Sequence, residues 1–399
     1  MKTFLARLNL TRDRVLWIVL GVLGLVVVGS ILFVPPELPP LAQSTGDVLA
    51  FDQTQTMNGQ VVQILAEEKI ETDFGAQHVQ LIQVKITSGE MAGQVIEVEH
   101  GGMYLSTKSS QLRRGMRVVV QHSEGPSGDQ FYISGVDRHF SLWVLVIAFA
   151  LVAIGVGRWT GLRSLIGLAF SVLVLVRFIL PRILAGQDPV GVSIVGAVIL
   201  MAPSLYIVYG WKNKTHAAVL GLSVSLVLTW LLAAIFVAWT ALSGLSDESM
   251  GFLVVATQVE LDPRGLALAG IILGALGMLD DITIGLSSTV FELAGANPDL
   301  SRRELFRRSM VVGVDHFASM VNSLMLAYVG ASLPLFLLLM IYQEPLGFSL
   351  NREVFVEEIV RTLVGGIGLM LAGPISSLIA CWMAKRSQAA SPAIDGGQG

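Results

Sequence analysis

Two runs without a single charged residue, 15–34 and 140–157, constrain this chain more than any other feature. A helix needs about 20 apolar residues to cross about 30 Å of hydrocarbon, and buried helices of soluble domains rarely sustain such a run. Only 14% of the residues are charged and 53% are hydrophobic, against about 25% charged in an ordinary soluble domain. So few charges do not cover an aqueous surface, and the expectation is an integral membrane protein. The formal net charge of -4 and the lack of a basic tract give nothing to grip a nucleic acid. The single Cys381 rules out an intrachain disulfide.

Lys2, Arg7, Arg12 and Arg14 precede the run 15–34. No convincing small-residue cleavage site follows, and the run exceeds a usual signal-peptide core, so an uncleaved anchor is expected. Pro35-Pro36 and Pro39-Pro40 then stop the helix. The texture changes over 45–139, where short stretches at 60–66, 79–86, 94–99, 117–121 and 130–136 alternate polar and apolar residues between Gly and Ser clusters. Five half-buried strands predict a small all-β domain, an OB-like or SH3-like barrel. Apolar runs return at 140–157, 164–184, 188–210, 216–240, 266–290, 311–341 and 356–383, with a loop and a short interfacial helix expected at 243–265. The fold class is therefore an α-helical polytopic membrane protein of about eight transmembrane helices, 140–384 forming a seven-helix body. A disordered tail is expected over 385–399.

Charge sets the predicted orientation. With a cytoplasmic N-terminus, the inner segments collect Arg158, Arg163, Lys212, Lys214, the cluster Arg302, Arg303, Arg307 and Arg308, and Lys385 with Arg386. The short outer loops hold Arg182, Arg264 and Arg352. Positive residues gather inside, so both termini are expected in the cytoplasm and 45–139 outside.

The polar residues within the runs carry the chemistry. Asp280 and Asp281 lie near the middle of the span that starts at Gly265, and Ser287, Ser288 and Glu292 follow. An Asp at the bilayer centre costs about 2.5–3.5 kcal/mol even on a lenient scale. At 100° per residue, Asp281, Ser288 and Glu292 share one stripe, while Asp280 and Ser287 share its neighbour. Low dielectric and a like-charged neighbour both oppose double ionisation, so one acid of the pair is expected to hold a proton near neutral pH. Asp315, Ser319 and Asn322 repeat at i, i+4 and i+7 on the next span, placing an acid, a hydroxyl and an amide on one face. An antiparallel pairing brings Asp281 and Asp315 within about one turn in depth. Oxygen ligands of this kind suit a proton, Na⁺ or a hard divalent cation. The competing reading is that these groups only bond helix to helix.

Gly270, Gly274 and Gly277 predict a close-packing seam. Arg177, inside a span, is either a counter-charge to the acids or a side chain that snorkels outward, and Glu357 with Arg361 reads as a local helix pair. His78, His100, His122 and His139 match no metal-ligand spacing, and His316 inside a span is satisfied by its neighbour Asp315. No cofactor is expected.

The segment Leu261-Asp262-Pro263-Arg264-Gly265-Leu266, then Gly274-Ala275-Leu276-Gly277, Asp281, Ser288 and Glu292, resembles the YibE/F family of bacterial multi-pass membrane proteins. Asn297-Pro298-Asp299-Leu300-Ser301, Asp315, Asn322, Leu326-Ala327-Tyr328-Val329-Gly330 and Leu333-Pro334 continue the resemblance, which extends over nearly the whole chain. It implies a bacterial plasma-membrane protein of permease-like character. In the family pattern the aspartate falls at Asp281, with an apolar or small residue where this chain has Asp280, so the resemblance assigns Asp280 no role.

The leading expectation is a transporter or a cation- or proton-coupled permease, with Asp281 and Asp315 as carriers and Ser288, Ser319 and Asn322 as neutral ligands. Its partners would be the lipid bilayer and a small ion or proton. The alternative is a membrane scaffold or sensor whose outer β domain binds a protein. An enzyme is not expected: no P-loop occurs, and the glycine-flanked aspartate of intramembrane proteases is absent where Gly277-Met278-Leu279 precede Asp280.

Overall fold

Alternation of polar and apolar residues builds the first part of the computed structural model, which describes residues 55–72, 75–101, 111–125, 128–246, 248–256, 259–341 and 345–390. The apolar run 15–34 and the tail 391–399 lie outside these residues. Strands β1 (Gln55–Thr72), β2 (Gly75–Ile86), β3 (Val95–His100), β4 (Arg117–Gly125) and β5 (Gly128–Val136) form one antiparallel sheet in the order β3-β2-β1-β4-β5. Four of the five predicted strands fall within one of them, and the fifth, 94–99, overlaps β3 but starts one residue early. The long β1 pairs with β4 through its first part and with β2 through the rest, and β3 approaches β5, so the sheet curls into a half-barrel. Along β2, Gln80, Ile82, Val84 and Ile86 point inward while Leu81 and Lys85 face out. Met57, Val61, Ile82, Val84, Ile86, Leu112, Val118 and Val120 make the core.

One polar side chain enters that core. The Gln80 amide donates to the Leu112 carbonyl at 3.2 Å and to Glu67 at 2.7 Å, and its oxygen accepts the Leu112 N–H at 2.7 Å. A buried amide is tolerated because each side of it is bonded.

Ten helices are described beyond the sheet: α1 (His139–Val174), α2 (Leu180–Leu184), α3 (Pro189–Tyr209), α4 (Asn213–Trp239), α5 (Glu248–Ala256), α6 (Pro263–Ala296), α7 (Arg302–Ala331), α8 (Leu333–Ile341), α9 (Leu346–Leu350) and α10 (Glu353–Ala390). A π turn at Leu175–Ile179 joins α1 to α2. Six helical segments among the described residues are long and apolar enough to cross a membrane. The longest, His139–Leu184, is broken at Arg158, where φ is 49° and ψ is -127°. A side chain at Gly161 would overlap the Ala153 carbonyl oxygen. Eight residues apart in a straight helix, those two positions would stand about 12 Å from each other, so the chain turns sharply where the sequence predicts a basic connector.

Local chemistry sets the other ends. Asp188 and Asp262 each precede a proline at the first helical position, and their side chains accept from Gly191 N at 2.7 Å and Arg264 N at 3.1 Å. Ser301 caps α7 by accepting from Glu304 N at 3.2 Å. Helix α7 starts at Arg302 and stops at Ala331, so the predicted span 311–341 is corrected at both ends: its basic first turns are helical, and Leu333–Ile341 is a separate helix. Helix α10 runs from Glu353 to Ala390, past both ends of the predicted span 356–383, so residues 385–390, expected in a disordered tail, are helical. The short helix expected within 243–265 is α5.

Helices α4, α6 and α10 pack against one another, α3 lies on α6, and α7 lies on α6 and α10. The α4–α10 crossing is close: a side chain at Gly221 would overlap Ser376, and one at Gly368 would overlap Thr229. The predicted Gly270, Gly274 and Gly277 seam is not used this way. All three are exposed, and a Cβ finds a neighbour only at Gly274, where the Tyr328 hydroxyl lies 3.3 Å away. Ile271, Ile272, Ala275, Leu276 and Leu279 face the core instead.

Glu353 clamps the loop after α4 to α10. Its carboxylate accepts from Ser243 N at 2.5 Å, Ser243 Oγ at 2.7 Å and Gly244 N at 3.0 Å, while Ser246 donates to Glu357 one turn on. Gly244 has φ 78°, and any side chain there would meet the Pro263 carbonyl. Arg361 donates to Glu357 at 2.6 Å and to Glu358 at 3.1 Å, the local pairing expected of that spacing.

Candidate functional site

Asp280 and Asp281 stand at the midpoint of the 34-residue α6. Their side chains diverge as the 100° step requires. Asp281 lines a cavity of about 360 Å³ with Ile284, Gly285 and Ser288 of α6, Tyr209 at the end of α3, and His316 and Met320 of α7. The four α6 residues follow an i, i+3, i+4, i+7 pattern, a single helix face. A Cβ at Gly285 would meet nothing within 4 Å, so the glycine widens the wall.

The second stripe points into protein. Ser287 is fully buried, and neither its hydroxyl nor Asp280 Oδ1 has a partner among the described residues. Thr283 donates at 3.0 Å to the Asp280 backbone carbonyl, leaving the carboxylate unserved.

Two cavity groups were not singled out from sequence in this role. His316 of α7 and Tyr209 at the end of α3 line the same cavity as Asp281. His316 and Met320 at i and i+4 were the available signal, but the adjacent Asp315 drew His316 into a local pairing. Tyr209, the last residue of an apolar span, was legible only as an interfacial aromatic.

The remaining predicted residues fall elsewhere. Gly313 packs on Leu286, and Tyr328 reaches Gly274, so α6 and α7 run antiparallel. Asp315 is then level with about residue 285, roughly 6 Å from Asp281 in depth. Its side chain does not line the cavity; Asp315, Ser319 and Asn322 are exposed on another face of α7. Glu292 is exposed, one turn beyond Ser288 on the cavity stripe. Arg177 is exposed on the π turn, while the Arg182 guanidinium sits 3.8 Å over the Phe178 ring. In the β unit, His122 is buried, stacked on Phe131 and 3.3 Å from Asp129, and His78 meets Gln111 at 3.2 Å. Among the described residues, no three His, Cys, Asp or Glu side chains gather as a metal site.

Six apolar helical segments, three of which line a cavity with a mid-helix carboxylate, fit a polytopic membrane protein. The chain belongs to the YibE/F-like protein family, whose profile matches residues 145–386. The match covers the helical body and leaves the β unit outside, narrower than the near-complete resemblance read from sequence. No curated protein and no solved structure matches the chain.

Proposed function

We propose that this protein is a permease coupled to a proton or a small hard cation, with the α3–α6–α7 cavity as its coupling site. The observation that carries this reading is the Asp281 carboxylate, placed at mid-helix in a cavity with the Ser288 hydroxyl, the Tyr209 phenol and the His316 imidazole. An ionisable group at that depth is costly unless it serves a pathway. Asp281 binds and releases the coupling ion, Ser288 and Tyr209 supply neutral oxygens, and the His316 imidazole adds a polar group to the same wall. Two such ligands fall short of a transition-metal set, which favours a proton or Na⁺.

In this reading both termini are cytoplasmic and the β unit lies outside a bacterial plasma membrane, as the distribution of Arg and Lys supports. The β1-β2-β3 meander with β4 returning beside β1 supports an OB-like barrel. A second reading, a scaffold or sensor that binds a protein through the β unit, draws on the exposed apolar side chains Leu65, Ile70 and Leu81 on β1 and β2.

Reconstituted vesicles with an imposed pH or Na⁺ gradient decide between them. Wild-type protein should dissipate a gradient, and Asp281→Asn should abolish this while the protein remains folded. Undiminished flux in Asp281→Asn would remove the carrier.

A further inference from the structure

Helix α7 carries a second polar stripe that the cavity does not use. Val312, Asp315, Ser319, Asn322 and Leu326 recur at spacings of three, four, three and four, and all five are exposed. Their shared direction is opposite the packed face, where Gly313 contacts Leu286 and Phe317 reaches Gly373. In its most apolar window α7 is 6% buried, against 56% for α6. The side chains of Asp315, Ser319 and Asn322 have no bonding partner among the described residues.

This arrangement conflicts with a hydrocarbon surrounding. Lipid tails satisfy neither a carboxyl nor an amide, so polar side chains within spans turn toward protein or water. The three-four repeat is the seam of a left-handed helix pair, and a polar residue on such a seam fixes register. We infer that α7 is a homodimer interface, in which this stripe packs against the same stripe of a second copy of the chain.

Self-complementarity at Ser319 and Asn322 selects the second copy, and the two Asp315 carboxyls that also meet accept from the Ser319 hydroxyls. About a two-fold axis along the membrane normal, equal residues meet at equal depth. Each Asn322 amide faces another that both donates and accepts. Each Ser319 sits between the other copy's Asp315 and Asn322, where its hydroxyl donates to one or the other, and its small side chain lets the backbones approach. The apolar run 15–34 is the other occupant this chain could offer, but its hydrogen-bonding side chains are only Trp17 and Ser30. It does not serve three polar levels. The inference rests on α7 crossing the bilayer and not on transport.

Cysteine cross-linking of the full chain in its native membrane tests it, in a Cys381→Ala background. Ser319→Cys and Asn322→Cys should give covalent dimers on mild oxidation. Val314→Cys and Met325→Cys, exposed but about a quarter turn or more off the seam, should not. In vesicles at graded protein-to-lipid ratio, single-molecule photobleaching should show dimers, with Asn322→Ala weakening them about threefold and the triple change Asp315→Ala, Ser319→Ala, Asn322→Ala about 25-fold, taking each hydrogen bond at its average membrane worth. Monomers at every ratio, equal cross-linking on and off the seam, or cross-linking of Asn322→Cys to a cysteine placed within 15–34 of the same chain would overturn the interface. Carbonate extraction separates the two premises: a protein that resists extraction yet stays monomeric refutes the dimer alone.

Discussion

Replacing Asp280 with leucine should make the protein more stable. The Asp280 Oδ1 atom is buried without a partner, and the adjacent Thr283 hydroxyl is committed to the backbone. A buried polar group left unbonded costs about 1–3 kcal/mol, whereas an apolar group of similar shape carries no such penalty. Leucine fits the surroundings, since the flanking Leu276, Leu279 and Ile284 belong to the main core. The expected gain for Asp280→Leu is about 1–3 kcal/mol. Asp280→Asn keeps a polar group in the same place and should stay within about 0.5 kcal/mol of the parent. Thermal unfolding of detergent-solubilised protein, followed by loss of the monodisperse peak, reads both variants under identical conditions. A lower midpoint for Asp280→Leu would show that the oxygen is bonded after all, to water or an ion, and the two-stripe account of α6 would fail. Flux provides the second readout: with Asp281 as sole carrier, Asp280→Leu retains coupled transport.

Gly285→Leu projects into open space, so the protein should fold normally while flux falls at least tenfold; wild-type flux in vesicles would mean that the cavity is not on the pathway. Gln80→Leu strands both the N–H and the carbonyl of Leu112, costing about 1–3 kcal/mol for each group, and should lower the denaturant midpoint of the β unit in the intact chain. Asp137 accepts from the backbone N–H of His139 at 3.0 Å and from its imidazole at 2.6 Å, and these bonds hold its carboxyl below the usual carboxylate range. A lowered carboxylate stabilises the folded chain above its unfolded value, and that contribution is lost as pH falls through the folded one. Amide exchange at His139 should therefore keep its protection at pH 5 and lose it only in acid below pH 4, and Asp137→Asn should speed this exchange at neutral pH.

The strands were legible because in a half-buried sheet the alternation of residues is itself the burial pattern: Gln80, Ile82, Val84 and Ile86 face in, and the residues between them face out or are only partly covered. The positions of the helices, though not all of their ends, were legible because apolar runs are local signals. What failed was sidedness. Gly270 and Gly277 read as a packing seam and Asp315 as a cavity ligand, yet all three face away from the bundle. In a lipid-facing helix the inner and outer faces are both apolar, so periodicity marks stripes without saying which one turns inward. Asp281 and Ser288 were found because their stripe is polar; His316 and Tyr209 belong to the same cavity through helices far apart in sequence, which no spacing rule reaches. The basic first turns of α7 hid its start, since charges there mark the end of an apolar run while leaving the helix intact.

The Glu353 clamp has a mechanical corollary. By tying the Ser243–Gly244 turn to the first residue of α10, it joins the end of α4 to α10, the two helices that pack on α6. The facing wall, α7, fully buries only Leu305, Ser309, Gly313 and Leu324 and meets the main core through the part-covered Phe317, Met320 and Val321. Opening the α6–α7 boundary between Asp281 and His316 therefore costs the contacts of three part-buried side chains rather than those of a sealed seam.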